Sequence, residues 1–164
     1  MVPFGDLTKY APPNWLYTSG KSNRYNPAGV NCVYFGETRE VVQAEYDGMW
    51  QGLAGENQPV TNYFAAVDLR RVLDLTDAAT LKALNMDEKD LFKNWRRAKR
   101  PTQTQLLGQA VEETGLFSAI RYPSKAASVR KQQGVNFVIF QKCVQSPDSV
   151  SILGPSKKPL QKWP

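Results

Sequence analysis

Apolar residues recur at three- and four-residue spacing from Val42 through Tyr46, Met49, Trp50 and Leu53, which is the stripe of an amphipathic helix. Thr38, just ahead of it, is the expected N-cap. At about 100° per residue, Glu45 falls between Val41 and Met49 on the edge of that stripe, while Glu40, Asp47 and Gln51 project from the opposite side. A carboxylate facing a core costs several kcal/mol unless it is paired, hydrogen-bonded or open to a cleft. Glu45 therefore has either a structural partner, with Arg24 the candidate, or a chemical role.

Elsewhere, alternating or continuous apolar runs bounded by turn residues predict strands at 15–18, 32–35, 62–69, 72–75, 117–121, 135–143 and 150–153. The run 135–143 is too apolar for an edge. Helices are expected at 77–84, 87–99 and 102–114, the last ended by Gly115 and turning Leu106, Leu107, Ala110 and Val111 inward. In 87–99 the acids come first and Arg96, Arg97 and Lys99 last, which suits a helix dipole. The basic run WRRAKR is thus a solvated helix end before it is a nucleic-acid or phosphate contact. Pro123 forces Tyr122 to be extended, and Ser124 is placed to cap a short helix that Gly134 ends. A helix start there also presents free N–H groups, so Ser124 has both a capping and a phosphate-binding reading.

Residues 1–14, with Pro3, Pro12 and Pro13, read as an extended arm, 15–153 as the core, and 154–164 as a basic, proline-containing tail. Neither an internal repeat nor an interdomain linker is visible. The expected architecture is a single α+β domain, with a mixed or antiparallel central sheet flanked by helices.

Length and composition narrow the function. A chain of 164 residues suits one domain that buries roughly 70% of its unfolded surface. With 41% hydrophobic and 22% charged residues and a mean hydropathy of −0.47, it has no run near the ~20 apolar residues of a membrane span. The first residues lack a signal peptide's basic start and apolar centre, so a cytoplasm is the expected site of folding or of arrival. Cys32 and Cys143, each in an expected buried strand, read as core thiols rather than a disulfide or metal pair. The absence of histidine removes Ser-His-Asp and Cys-His nucleophile systems and His-ligated zinc. Catalysis is left to carboxylate, hydroxyl, guanidinium or amine, with no metal expected. A net charge of +6 favours polyanions, phosphate-bearing small molecules or acidic protein partners alike. The loop 19–29, SGKSNRYNPAG, holds two glycines and two cations among small polar residues, and reads equally as an anion-wrapping loop and as a surface turn.

Four motifs in order, NRYNPAGVNCVYFGE with Glu45 downstream, PTQTQLLG, IRYPS and GVNFVIF, resemble the RES domain, named for an arginine, a glutamate and a serine. The match in order and spacing runs over about residues 15–140. The resemblance implies a fold similar to ADP-ribosyltransferase toxins and an activity that degrades NAD by phosphorolysis or hydrolysis. It also implies a toxin paired with an antitoxin that carries a helix-turn-helix domain of the Xre type. Carried over, the family's arginine is Arg24, its tyrosine Tyr34, its glutamate Glu45 and its serine Ser124, with Tyr25 and Asn26 as further substrate contacts. Two departures stand out. Many members carry another arginine in the first strand, where this chain has Tyr17 and Thr18, and the segment between Ser124 and Gly134 is longer and more basic than usual.

On that resemblance NAD is a substrate and not a prosthetic group, and inorganic phosphate is a candidate second substrate. Glu45 would stabilise the cationic ribose, Arg24 would hold pyrophosphate or phosphate, Tyr34 would stack on nicotinamide, and Ser124 would contact phosphate. The partner expected is an Xre-like antitoxin or an immunity protein covering the Arg24–Glu45 cleft. The site of action would be a bacterial cytoplasm, reached directly or by delivery into a target cell. ADP-ribosyl transfer to a protein or nucleic acid would use the same residues. A nucleic-acid-binding module built on WRRAKR and the tail ranks lower, since it leaves Glu45 unexplained.

Overall fold

The most apolar run of the chain becomes β7 (Val135–Ile139), which is buried almost throughout and lies inside a sheet, as a strand without a solvent face must. A computed structural model describes residues 2–3, 21–50, 59–154 and 156–164. In it β2 (Val33–Gly36) pairs antiparallel with one side of β7, and β6 (Ala119–Pro123) with the other. Beyond β6, β5 (Val72–Asp74) runs parallel to it, which makes the four-stranded sheet mixed. A second, antiparallel sheet has the order β4 (Phe64–Asp68), β8 (Ser149–Leu153) and β9 (Pro159–Trp163). A short ladder pairs β1 (Val2–Pro3) with β3 (Val60–Thr61).

Register then sorts side chains between two cores, because successive residues of a strand point to opposite faces. Tyr34, Val138 and Ile120 align across β2, β7 and β6, and they join Leu91, Val111 and Phe140 on the helical side. Val33, Ile139 and Ala119 align one residue away and meet Val150, Ile152 and Trp163 of the second sheet. Ile120 and Val138 have no exposed surface, and each such burial stabilises by about 1.5–3 kcal/mol.

Among the described residues the α-helices are α1 (Arg39–Trp50), α2 (Ala78–Ala83), α3 (Glu88–Leu91), α4 (Gln103–Thr114) and α5 (Lys125–Val129). Their starts are capped by side chains, at Ser124 as expected. Asp77 accepts from Thr80 N–H at 3.0 Å, Thr102 and Gln105 form a reciprocal capping box, and Ser124 accepts from Ala127 N–H at 3.1 Å. Gly115 ends α4 in the left-handed region at φ 63°, a conformation that favours glycine.

Several expectations are corrected. The helix expected over 87–99 stops at Leu91, and Asn94 accepts from Arg96 N–H at 3.2 Å to start a separate 3-10 turn, Trp95–Arg97. The basic run is therefore not the end of a long dipole. On α4, Leu106 and Ala110 face outward. The helix instead packs through Gly108, where a Cβ would overlap the carbonyl oxygen of Tyr25. The strand expected over 135–143 ends at Ile139, and Cys143 sits in the 3-10 turn Gln141–Cys143. Both cysteines are buried, free thiols. The expected tail is not loose, since β9 pairs with β8 and buries Trp163. The expected strand at 15–18, most of the arm and Leu53 lie outside the described residues. No helix among the described residues is long and apolar enough to cross a membrane.

Candidate active site

Along β2, the edge strand of the sheet among the described residues, a cleft of about 660 Å³ is walled by β2, α1 and β4, with Tyr122 and Asn136 reaching it from inside the sheet. The apolar stripe of α1 is divided between this cleft and the core. Val41 and Ala44 are buried away from the cleft, whereas Val42, Met49 and the buried Tyr46 line it. That division explains why Glu45, at the edge of the stripe, reaches the same cleft.

The height of α1 over the sheet is set by two glycines. A Cβ on Gly36 would lie 2.7 Å from Val42 Cγ2 and 3.0 Å from Val41 Cγ1, and one on Gly134 would overlap Val41 Cγ2. Val41 therefore seats where no other residue type leaves room. One helical turn later, half-buried Glu45 places Oε1 2.7 Å from Ser124 Oγ and 2.7 Å from Asn136 Nδ2, both of which donate to it. Oε2 has no hydrogen-bond partner among the described residues. Nor does Glu45 form a salt bridge with Arg24, the structural partner considered from sequence; the described ion pairs lie elsewhere.

Ser124 is 2% exposed and its hydroxyl is used twice, as cap for Ala127 N–H and as donor to Glu45. Accepting from Ala127 directs its own proton at the carboxylate. It is not part of the cleft wall, so in this arrangement it reaches a ligand through Glu45 and not by its own hydroxyl.

Arg24 is anchored at the end of α3. Its Nη1 donates to the carbonyl oxygens of Leu91 at 2.8 Å and Lys93 at 3.2 Å. These are carbonyls left free where α3 ends, and a cation suits that end of a helix. Arg24 is not among the described residues lining the cleft, yet its charge is felt at Tyr122 together with that of Glu45.

Tyr34 does line the cleft. Its hydroxyl accepts from Tyr25 N–H at 2.9 Å and donates to Asn26 Oδ1 at 2.9 Å, while Asn26 Nδ2 donates to the carbonyls of Lys21 at 2.7 Å and Val30 at 3.1 Å. Tyr25 and Asn26 are themselves fully buried. The structure thus uses them to brace the turn behind Arg24, with only the Tyr34 ring open to a ligand. Burial above all, with nearby Cys32 and Tyr122, pushes the Tyr34 phenol well up, and the bond from Tyr25 only partly opposes this.

Asn136 and Tyr122 are the site residues that sequence reading missed. They are register partners on β7 and β6, and Asn136 faces Gly36 on its other side. Tyr122 packs against Tyr25 with ring centroids 4.3 Å apart and the ring planes tilted by 42°. Burial first, then Tyr25 and the negative Glu45, push its phenol well above the usual range, against the opposing Arg24. It therefore stays a neutral hydroxyl at the cleft wall. The signals were available only in part: Tyr122 lies in the IRYPS motif, but Asn136 is one amide in an apolar strand.

Compared with known families, residues 6–158 match the model described as RES domain. No curated protein and no solved structure matches the chain.

Proposed function

The chain belongs to the RES domain family, and from that premise we propose that it cleaves the bond between nicotinamide and ribose in NAD, with phosphate or water as acceptor, and acts as a toxin by depleting NAD. The observation that carries this reading is the Glu45 carboxylate. One of its oxygens is held by two neutral donors and the other has no partner among the described residues, on the wall of a cleft. As the bond breaks, its electron pair goes to the nicotinamide nitrogen, which becomes neutral, and positive charge passes to the ribose. A fixed carboxylate beside that ribose attracts the transition state more than the ground state, which lowers the barrier. Phosphate or water then forms the new bond to the same carbon.

The other residues support this chemistry. The Tyr34 ring, fixed by its hydroxyl, offers a flat face to an aromatic base. Arg24 adds positive charge on the side of Tyr122, suited to pyrophosphate or incoming phosphate. Met49, Phe64 and Val67 line the cleft and are 47%, 51% and 49% exposed. An apolar rim of that kind suits a neutralising partner, an antitoxin or immunity protein, that covers the opening.

The test is to incubate the purified chain and its Glu45→Gln variant with NAD, with and without phosphate, and to follow free nicotinamide. Release by the parent alone is the expected result, and dependence on phosphate identifies the acceptor. Label from NAD retained on a macromolecule would replace this reading with ADP-ribosyl transfer. No release from folded protein would remove it.

A further inference from the structure

We propose that Asn136 is a positioning residue, which together with Ser124 fixes the plane of the Glu45 carboxylate and turns Oε2 toward the substrate. The inference rests on the NAD-cleaving reading above and deepens it. Asn136 is 4% exposed in the central strand of the sheet. A buried amide is costly unless its polar atoms are bonded, and the Nδ2 donor here is committed to Glu45 Oε1 at 2.7 Å. Ser124 donates to the same oxygen at 2.7 Å. With two donors on one oxygen, the carboxylate loses its rotational freedom, while its second oxygen has no hydrogen-bond partner among the described residues.

The chemical type of these donors matters as much as their place. An arginine or lysine would orient a carboxylate equally well, but its charge would cancel the field that a cationic ribose needs. A serine hydroxyl and an asparagine amide orient through dipoles and leave the negative charge intact. The strand register keeps the path open, because the neighbour of Asn136 on β2 is Gly36, where any side chain would collide with α1. A hydroxyl locked by its capping bond and an amide fixed on a central strand are both rigidly mounted, and rigid mounting is what preorganised catalysis requires.

A residue acting through Glu45 has a signature that a merely structural residue lacks: its removal ceases to matter once Glu45 is gone. Asn136→Ala is therefore made in the parent and in a Glu45→Ala background, and nicotinamide release from NAD is measured, with excess enzyme for the slow variants. In the parent, kcat is expected to fall 10–100-fold with KM within twofold; in the Glu45→Ala background the residual rate is expected to change less than twofold. Equal proportional losses in both backgrounds, an unchanged kcat, or an effect confined to KM would overturn the proposal. Should Asn136→Ala not fold by circular dichroism, Asn136→Leu, which nearly keeps the native size and removes the donor without adding charge, gives the same comparison. A parent that releases no nicotinamide overturns the NAD reading and this inference with it. An active parent indifferent to Asn136 overturns the inference alone.

Discussion

Replacing Glu45 with glutamine separates chemistry from support. The side chain keeps its shape, and an amide oxygen in the place of Oε1 still accepts from Ser124 and Asn136, now at 2.7 Å each. What the fold loses is the charge-assisted part of two hydrogen bonds, about 1 kcal/mol per bond. For a domain of this size that lowers the melting temperature by about 4–8 °C at most. Turnover loses far more. A unit positive charge developing about 4 Å from the carboxylate, at an effective dielectric of about 20 suited to a half-buried group, is stabilised by about 4 kcal/mol. That energy corresponds to about a thousandfold in rate. The assay is kcat from nicotinamide release at saturating NAD, alongside a thermal melt of the same preparation. A folded variant that keeps kcat within tenfold of the parent refutes the electrostatic argument. A large melting shift with retained turnover would make Glu45 a structural acid.

Other consequences follow from single contacts. Arg24→Lys draws the donor back from the Leu91 and Lys93 carbonyls that Nη1 binds; chemical denaturation should show a loss of about 1–2 kcal/mol, with a raised KM for NAD, and an unchanged midpoint would show the tie to be dispensable. Burial pushes the Asp148 carboxyl up, but bonds from Arg70 N–H, Ser118 and Arg71 N–H and the Arg71 charge outweigh it and hold the carboxyl below its usual range. Its contribution is therefore present above the unfolded value of about 3.9 and lost as pH falls through the folded value. Asp148→Asn should be less stable than the parent at pH 6 and lose less on going to pH 3; parallel losses would exclude the effect. Gly108→Ala puts a methyl group into the Tyr25 carbonyl, and urea denaturation should show a loss of about 3 kcal/mol or more, whereas a near-neutral result would mean that α4 slides freely.

Local features were legible in the sequence where the cause is local. The misplaced carboxylate of Glu45 follows from helical periodicity, and the caps Thr38 and Ser124 follow from short side chains that accept backbone N–H groups three residues on. What escaped depends on partners far along the chain. Arg24 is tied to carbonyls 67 and 69 residues away, so its loop alone reads equally as an anion site and as a surface turn. Asn136 meets Glu45 across 91 residues, through a register that no pattern within β7 specifies. The end of the chain read as a tail because proline and lysine are poor strand formers, yet pairing with β8 gives its backbone partners and gives Trp163 a place to bury. The stripe of α1 was read as facing one core, since periodicity cannot tell a core from the apolar wall of a cleft.

The seat of Val41 between Gly36 and Gly134 makes the position of the carboxylate depend on what is missing from the sheet. The helix comes to rest against two gaps and not against adjustable contacts, so its depth is a fixed stop. Exposed positions on α1 away from the cleft, such as Glu40, are consequently free to drift in sequence and to adapt to whatever surface meets them, without moving Glu45. A chain under pressure to change its partner while keeping its chemistry would have in this helix one face open to variation and one held still.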